Sequence, residues 1–273
     1  MARSRLDREM VRRGLTESRH RAQQLIAEGK VTVGGAPALK AARQTLPSEP
    51  IEVAADEPPF ASRAGAKLEA ALDGFGVEVR GRRVLDAGSS TGGFTDCLLR
   101  RGAASVVAVD VGRGLMLDRL SRHEAVDLRE GVNVRNLVAA DVQPPVDLVV
   151  ADLSFISLRT VLGTLLELGG PDLELVTLVK PQFEAGRREV SRGRGVIKDP
   201  DVWSRVLQEV TGTAMSLGAG IMGLMPSPVT GSKGNREFLM HVRKGDPAAD
   251  DPESAAARLI TAAVAAVSGV ETP

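Results

Sequence analysis

The sequence predicts an α/β protein with a mostly parallel, seven-stranded sheet, preceded by a small α+β module. Strand-length apolar runs alternate with helical segments from Arg83 to Val242, the pattern of a parallel sheet covered on both faces. Charged residues fall at the carboxyl ends of those runs, at Asp86, Asp110, Asp152 and Lys180, where such sheets hold their ligands. Ahead of them, Arg3 to Lys30 carries eight Lys or Arg against four acids.

The module is expected over residues 1–59. Leu6, Met10 and Leu15 fall near helical spacing, and Gly14 ends that helix. Thr16 or Ser18 caps a second helix through Ala22, Leu25 and Ile26, which stops at Gly29. Val31-Thr32-Val33 is a strand entering the Gly34-Gly35 turn, and Ile51-Glu52-Val53 is a second short strand. Asp56-Glu57-Pro58-Pro59 reads as a linker, because consecutive prolines stop helix and sheet.

The body is expected over residues 60–244. Its strands are Arg83 to Asp86, Ser105 to Asp110, Val126 to Leu128, Asp147 to Asp152 and Leu175 to Lys180, with Ile221 to Met225 and Phe238 to Val242 closing the sheet. Helices start near Phe94 and run over Leu158 to Leu168 and Asp199 to Leu217. The tail, 245–273, is acidic and Ala-rich and suggests one short helix.

Composition excludes several classes. Apolar residues make up 43% and charged residues 26% of 273, ordinary for a globular chain and unlike a disordered or collagenous one. Cys97 is the single cysteine, so an intramolecular disulfide and a multi-cysteine zinc site are both excluded, and a reducing cytoplasm is the natural compartment. His20, His123 and His241 lack metal-ligand spacing, and no metal is expected. No apolar run reaches the roughly 18 residues of a membrane-spanning helix, and the Arg-rich start has no secretory h-region. Lys+Arg and Asp+Glu both total 35. That balance hides a basic head and a tail with five acids against Arg258. The head suits either a phosphate-facing surface or a solvated helix face.

Asp86-Ala87-Gly88-Ser89-Ser90-Thr91-Gly92-Gly93-Phe94 joins a strand to a helix. Glycines admit a close backbone approach, and a helix N-terminus favours anionic groups. The Gly-Lys-Ser/Thr ending of a phosphate loop is missing, and Ser90 stands where a dinucleotide loop has its middle glycine. S-adenosylmethionine fits better: its amino-acid end needs amide donors and an acid, and Asp110 can accept the ribose hydroxyls. Asp86, Gly88, Ser89, Ser90, Thr91, Gly92, Gly93, Phe94, Asp110, Asn133 and Asp152 are the candidate cofactor residues.

Lys67, Asp152, Lys180 and Glu237 form a spaced set of charges. A lysine ending an apolar strand is costly to bury without carboxylates. A buried ion-pair cluster would suffice to explain the set. So would chemistry on a hydroxyl, since a weakly acidic ribose 2′-hydroxyl needs alignment with a sulfonium methyl and removal of one proton. Lys180 is either a base or a charged donor that positions the oxygen, since nearby carboxylates raise a lysine's pKa while burial lowers it; the base is the role expected here.

Family resemblance covers both parts. Arg5-Leu6-Asp7, Gly14-Leu15, Ser18-Arg19 and Gly29-Lys30-Val31-Thr32-Val33-Gly34-Gly35 resemble the S4 RNA-binding domain. Arg3, Arg5, Arg12, Arg19, Arg21 and Lys40 are the candidate RNA contacts, since guanidinium forks fit phosphate oxygens. The glycine turn through Leu99, Val109-Asp110-Val111-Gly112, Asn133-Val134-Arg135, Asp152-Leu153-Ser154-Phe155-Ile156-Ser157-Leu158 and Lys180-Pro181-Gln182-Phe183-Glu184 resemble the TlyA family. Those are S4-bearing ribosomal RNA 2′-O-methyltransferases with an FtsJ-like, Rossmann-like domain dependent on S-adenosylmethionine, some named haemolysins. The resemblance implies that Lys67, Asp152, Lys180 and Glu237 are a Lys-Asp-Lys-Glu tetrad and that the substrate is cytidine in ribosomal RNA of one or both subunits; no obligate protein partner is evident in the sequence. Lys233 and the Pro58-Pro59-Phe60 linker depart from relatives.

Phe155 is a candidate for stacking on a flipped base or for the core. Cys97 reads as a small buried apolar residue. A non-catalytic RNA-binding protein would leave the four charges unexplained, and a membrane-acting haemolysin lacks a spanning segment. A pseudouridine synthase would leave the glycine turn unused.

Overall fold

The computed structural model describes residues 3–54, 60–231, 233–245 and 251–268. The expected linker Asp56–Pro59 and the tail acids Asp246, Asp250 and Glu271 lie outside the described residues. The chain divides into two units, Met1–Glu57 and Pro58–Pro273.

The first unit packs two helices beside short antiparallel strands. Its elements are β1 (Ser4–Arg5), α1 (Leu6–Arg12), α2 (Arg19–Ala27), β2 (Val31–Val33), β3 (Ala36–Pro37), β4 (Gln44–Thr45) and β5 (Ile51–Val53). Gly14 follows α1 at φ +69°, and Ser18 Oγ caps α2 by accepting from the Arg21 amide. The β2–β3 turn sits on Gly34 and Gly35, both at positive φ. Leu6, Met10, Ala22, Leu25, Ile26, Val31 and Val33 form the core. Strands of two residues are too short for a period-2 pattern to reveal, which is why β1, β3 and β4 were not expected from sequence.

The second unit is the expected doubly wound sheet. It contains α3 (Arg63–Phe75), β6 (Arg83–Ala87), α4 (Gly93–Arg100), β7 (Ser105–Asp110), α5 (Asp118–Ser121), β8 (Val126–Glu130), β9 (Val146–Ala151), α6 (Leu162–Glu167), β10 (Gly169–Val179), α7 (Pro181–Glu184), α8 (Arg187–Arg192), α9 (Pro200–Ser216), β11 (Ala219–Pro226), β12 (Phe238–Lys244) and α10 (Pro252–Ser268). The strand order is β11-β12-β10-β9-β6-β7-β8. Only β12 runs against its neighbours. The sheet is buried on both faces, so successive residues of one strand enter different cores. Leu85, Val107 and Val149 pack with α6, α9 and α10 residues, whereas Val84, Val106 and Leu148 pack with α3 and α4 residues. That is why these strands read as continuous apolar runs.

Two expectations need correction. Leu158 to Leu168 is not one helix: a 3-10 turn at Leu158–Thr160 and α6 are separated at Val161, where φ is −122°. The tail helix is not short. It spans 17 residues and buries Ala256, Ile260, Ala263 and Val264, an i, i+4, i+7, i+8 face.

The order of strands reverses at β6, with β7 on one side and β9 on the other. The crevice at such a switch point is where an open α/β sheet receives a ligand.

Candidate active site

Gly88 opens the turn after β6 at φ +87°. A Cβ there would lie 2.7 Å from the Asp152 carbonyl oxygen, so only glycine lets this backbone pass so close to the loop after β9. The Gly88 amide donates to Val109 O at 2.8 Å and the Asp152 amide to Ala87 O at 3.0 Å, which ties three strand ends together. The result is a cleft of about 550 Å³ lined by Gly88, Ser90, Asp110, Asn133, Asp152 and Phe155 among others.

Asp110 shapes its far wall. Its carboxylate accepts from the Ser90 amide at 2.8 Å and the Gly112 amide at 2.7 Å, one on each oxygen. A carboxylate holds about four acceptor positions, so it can still take two hydroxyl groups. Asn133 Oδ1 accepts from the Arg135 amide at 3.1 Å and caps the turn at Val134–Asn136.

A smaller cavity of about 160 Å³ adjoins the turn and is lined by Ser89, Thr91, Gly93, Phe94 and Lys180 among others. Asp86 and Gly92 line neither cavity. Gly92 packs under Leu120, which a Cβ would meet at 2.4 Å. Asp86 is fully buried, accepting from Thr95 Oγ1 at 2.6 Å. Burial pushes its carboxyl up to about 7; the Thr95 bond opposes this, and the charges of Asp152 and Asp110 add to it. Asp86 Oδ1 and Ser89 Oγ have no partner among the described residues. Buried polar atoms left unpaired point to a missing group. An acid, backbone amides and a diol-accepting carboxylate suit a nucleoside that carries an amino acid.

The four charged residues form two ion pairs. Lys67 comes from α3, capped at its start by Ser62 and stopped by Gly76 in the left-handed region. Its Nζ donates to Glu237 Oε2 at 2.6 Å, with both side chains almost buried. Lys180, 7% exposed at the end of β10, lies 2.5 Å from Asp152 Oδ1. Its well-directed hydrogen bond goes elsewhere, to Ser154 Oγ at 3.0 Å. Lys67, Lys180 and Glu237 line one cavity of about 370 Å³, together with Ser154, Gln182 and Phe155. Asp152 lines the neighbouring cleft. Lys180 also lines the smaller cavity beside the glycine turn, so it borders two spaces.

Phe155 is 92% exposed at φ +64°, which rules out the core alternative. Its ring lies 5.2 Å from that of Phe183, and both line the Lys67–Lys180 cavity. Glu184 holds the two loops together, accepting from Ser157 Oγ and the Leu158 amide at 2.6 Å each. Sequence reading missed Ser154, Gln182 and Glu184, although all three lie inside the quoted Asp152 and Lys180 motifs. Cys97 is buried in the α3–α4 core, and burial pushes its thiol up to about 12, which leaves it inert.

In the first unit Arg3 and Lys40 are exposed. Arg5 and Arg19 are paired to Asp7, and Arg12 to Glu9. Arg21 is half-buried on the first turn of α2.

The FtsJ-like methyltransferase family matches residues 60–244, and the S4 domain matches residues 4–49. The 16S/23S rRNA (cytidine-2'-O)-methyltransferase TlyA of Mycobacterium tuberculosis is 46% identical over 242 residues, 88% of this chain and 90% of its own. The chain belongs to the TlyA family of FtsJ-like methyltransferases. Hemolysin A of Brachyspira hyodysenteriae is 39% identical over 242 residues, 87% of this chain and 98% of its own. A solved structure from Streptococcus thermophilus that carries the hemolysin name superposes with a TM-score of 0.71 at 33% identity, over 96% of each chain. No helix among the described residues of this TlyA-family chain is long and apolar enough to cross a membrane.

Proposed function

We propose that this chain transfers a methyl group from S-adenosylmethionine to the 2′-hydroxyl of a cytidine in ribosomal RNA. One observation carries the reading: Lys180 Nζ, fixed by Asp152 and Ser154, lines both the Lys67–Glu237 cavity and the small cavity beside the glycine turn. A proton acceptor at that place reaches both a hydroxyl in one space and a methyl donor in the other.

Asp110 would take the cofactor ribose hydroxyls. The turn from Gly88 to Gly93, with Asp86 beneath it, would take the amino-acid end, and Asn133 would border the base. When bound, the cofactor supplies a methyl carbon on a sulfonium leaving group. Lys180, as the neutral amine after its ammonium proton has left to solvent, would accept the 2′-hydroxyl proton and leave the oxygen as the nucleophile for that methyl group, with the thioether as the leaving group. Lys67 and Glu237 hold the ribose from the other wall, and alignment of this kind supplies much of such an acceleration. Phe155 offers a ring for the target base to stack on. Arg3, Arg5, Arg12, Arg19, Arg21 and Lys40 of the S4 domain face RNA phosphates, which gives affinity without sequence choice. Ribosomal subunits place the work in the cytoplasm.

Labelled S-adenosylmethionine, unmodified small and large subunits and naked rRNA, followed by nucleoside mass spectrometry, test the reading. A 2′-O-methylcytidine product is expected, and the labelled subunit identifies the target. Intact cofactor binding without transfer to any of these RNAs would overturn it.

A further inference from the structure

One acid of the basic head, Asp7, is hidden among its arginines. Asp7, on the first turn of α1, is 0% exposed. Its Oδ1 accepts from Arg5 Nε at 3.1 Å and the Arg8 amide at 3.0 Å. Its Oδ2 accepts from Arg5 Nη2 at 3.1 Å, Arg19 Nη2 at 3.0 Å and Gln23 Nε2 at 3.0 Å. The donors come from β1, α1 and α2, so one carboxylate joins three elements.

The geometry does more than join them. Two guanidinium groups touch the same oxygen and are therefore neighbours, a placement their mutual repulsion opposes and the carboxylate offsets. Both arginines stay open to solvent, at 38% and 48% of their side chains. Among the described residues no hydrogen bond engages Arg5 Nη1, Arg19 Nε or Arg19 Nη1. Glu9 holds one open arginine, Arg12, and one structural arginine, Arg13, which also donates to the carbonyls of Leu46, Pro47 and Glu49, whereas Asp7 holds two open arginines on one oxygen.

We propose that Asp7 is a positioning residue that presets Arg5 and Arg19 as a paired clamp for phosphate oxygens of RNA. The proposal rests on the reading that the S4 domain binds ribosomal RNA. Long side chains fixed before binding lose less freedom when the ligand arrives.

The test turns on a sign. Asp7→Asn removes one negative charge from the head, so an electrostatic account without positioning predicts tighter RNA binding. Positioning predicts the reverse, because the amide puts a donor where the guanidinium groups need an acceptor. Binding of the full chain to unmodified ribosomal RNA is measured over a salt series. Asp7→Asn is expected to weaken it about tenfold, the scale of two side chains left to be ordered at binding. Glu17→Gln makes the same charge change on an exposed acid and is expected not to weaken it.

A second comparison separates positioning from damage to the fold. In an Arg5→Ala/Arg19→Ala background, Asp7→Asn is expected to cause no further loss. A further loss there would mean that Asp7 only supports the domain, and this would overturn the proposal. Binding unchanged or tightened by Asp7→Asn alone, with the double arginine variant weakened, would overturn the proposal and leave the RNA reading standing. A double arginine variant that binds like the parent would overturn both.

Discussion

Lys67 and Glu237 stand 170 positions apart in the chain and meet at 2.6 Å, both nearly shielded from water. The pair joins α3, which opens the second unit, to the residue before β12, which closes the sheet. Removing one partner strands the other as a buried charge, at a cost of about 3–5 kcal/mol. Lys67→Met is therefore expected to lower stability by that order in urea unfolding. Lys67→Met with Glu237→Leu is expected to recover most of it, because an apolar pair satisfies the site, yet to remain without methyl transfer. A double variant that methylates RNA would reduce the pair to a structural strut.

Lys180→Ala separates chemistry from cofactor binding. Lys180 does not line the cleft that holds Asp110 and Asn133, so cofactor affinity is expected to stay near the parent value while turnover is lost. Calorimetry with S-adenosylmethionine and single-turnover methyl transfer check the two halves. Retained turnover would remove Lys180 from the role of base.

Asp86 makes stability depend on pH in an unusual direction. Its carboxyl is raised from 3.8 to about 7 by burial. Below pH 4 both folded and unfolded chains hold the proton and the group contributes nothing. Between pH 4 and 7 only the folded chain holds it, so stability falls as pH rises, and above 7 the full penalty applies. That difference makes the penalty roughly 4 kcal/mol. Asp86→Asn is expected to melt above the parent at pH 8, converge with it near pH 4, and bind S-adenosylmethionine more weakly. Parallel melting curves from pH 4 to 8 would show that burial does not set this carboxyl.

Most of the site was legible because a parallel sheet concentrates its polar residues at strand ends. Asp86, Asp110, Asp152 and Lys180 each follow an apolar run, and the topology then has little choice but to bring them to one edge. Two features of the site escape a sequence reading for different reasons. The helix α3 carries its own signals, a Ser62 cap, Leu68, Ala71 and Leu72 on one face, and Gly76 as a stop. These were overshadowed by the motif inside it. Glu184 and Gln182 are a different case: their partners Ser157 and Glu237 lie 27 and 55 residues away. No local period encodes such a bond. The pairing of Arg5 and Arg19 through Asp7 is hidden in the same way, since a charge count treats all three as independent.

Gly88 and Gly76 separate backbone freedom from space. Both have positive φ, but a Cβ on Gly88 would meet the Asp152 carbonyl at 2.7 Å, while nothing lies within 4 Å at Gly76. Gly76→Ala is expected to cost about 1 kcal/mol and to leave cofactor binding alone. Gly88→Ala pushes the turn off the loop that carries Asp152, so cofactor affinity is expected to fall more than tenfold. Equal affinities in the two variants would show that the cleft tolerates a shifted turn.

Phe155 pits stability against activity at one position. It is an aromatic residue at φ +64° with its ring 92% exposed, an arrangement that costs about 1–2 kcal/mol in backbone strain. Little packing offsets that cost, since Phe183 is the one aromatic neighbour of its ring among the described residues. On the proposed reading, the target base stacked on this ring offsets the strain when RNA is present. Phe155→Gly relieves the strain and is expected to keep or raise the melting temperature, while kcat/KM for RNA falls about tenfold or more, the usual worth of a base stacked on an aromatic ring. Phe155→Trp restores a ring and is expected to recover activity that Phe155→Gly loses. If Phe155→Gly methylates RNA as well as the parent, the target base stacks elsewhere.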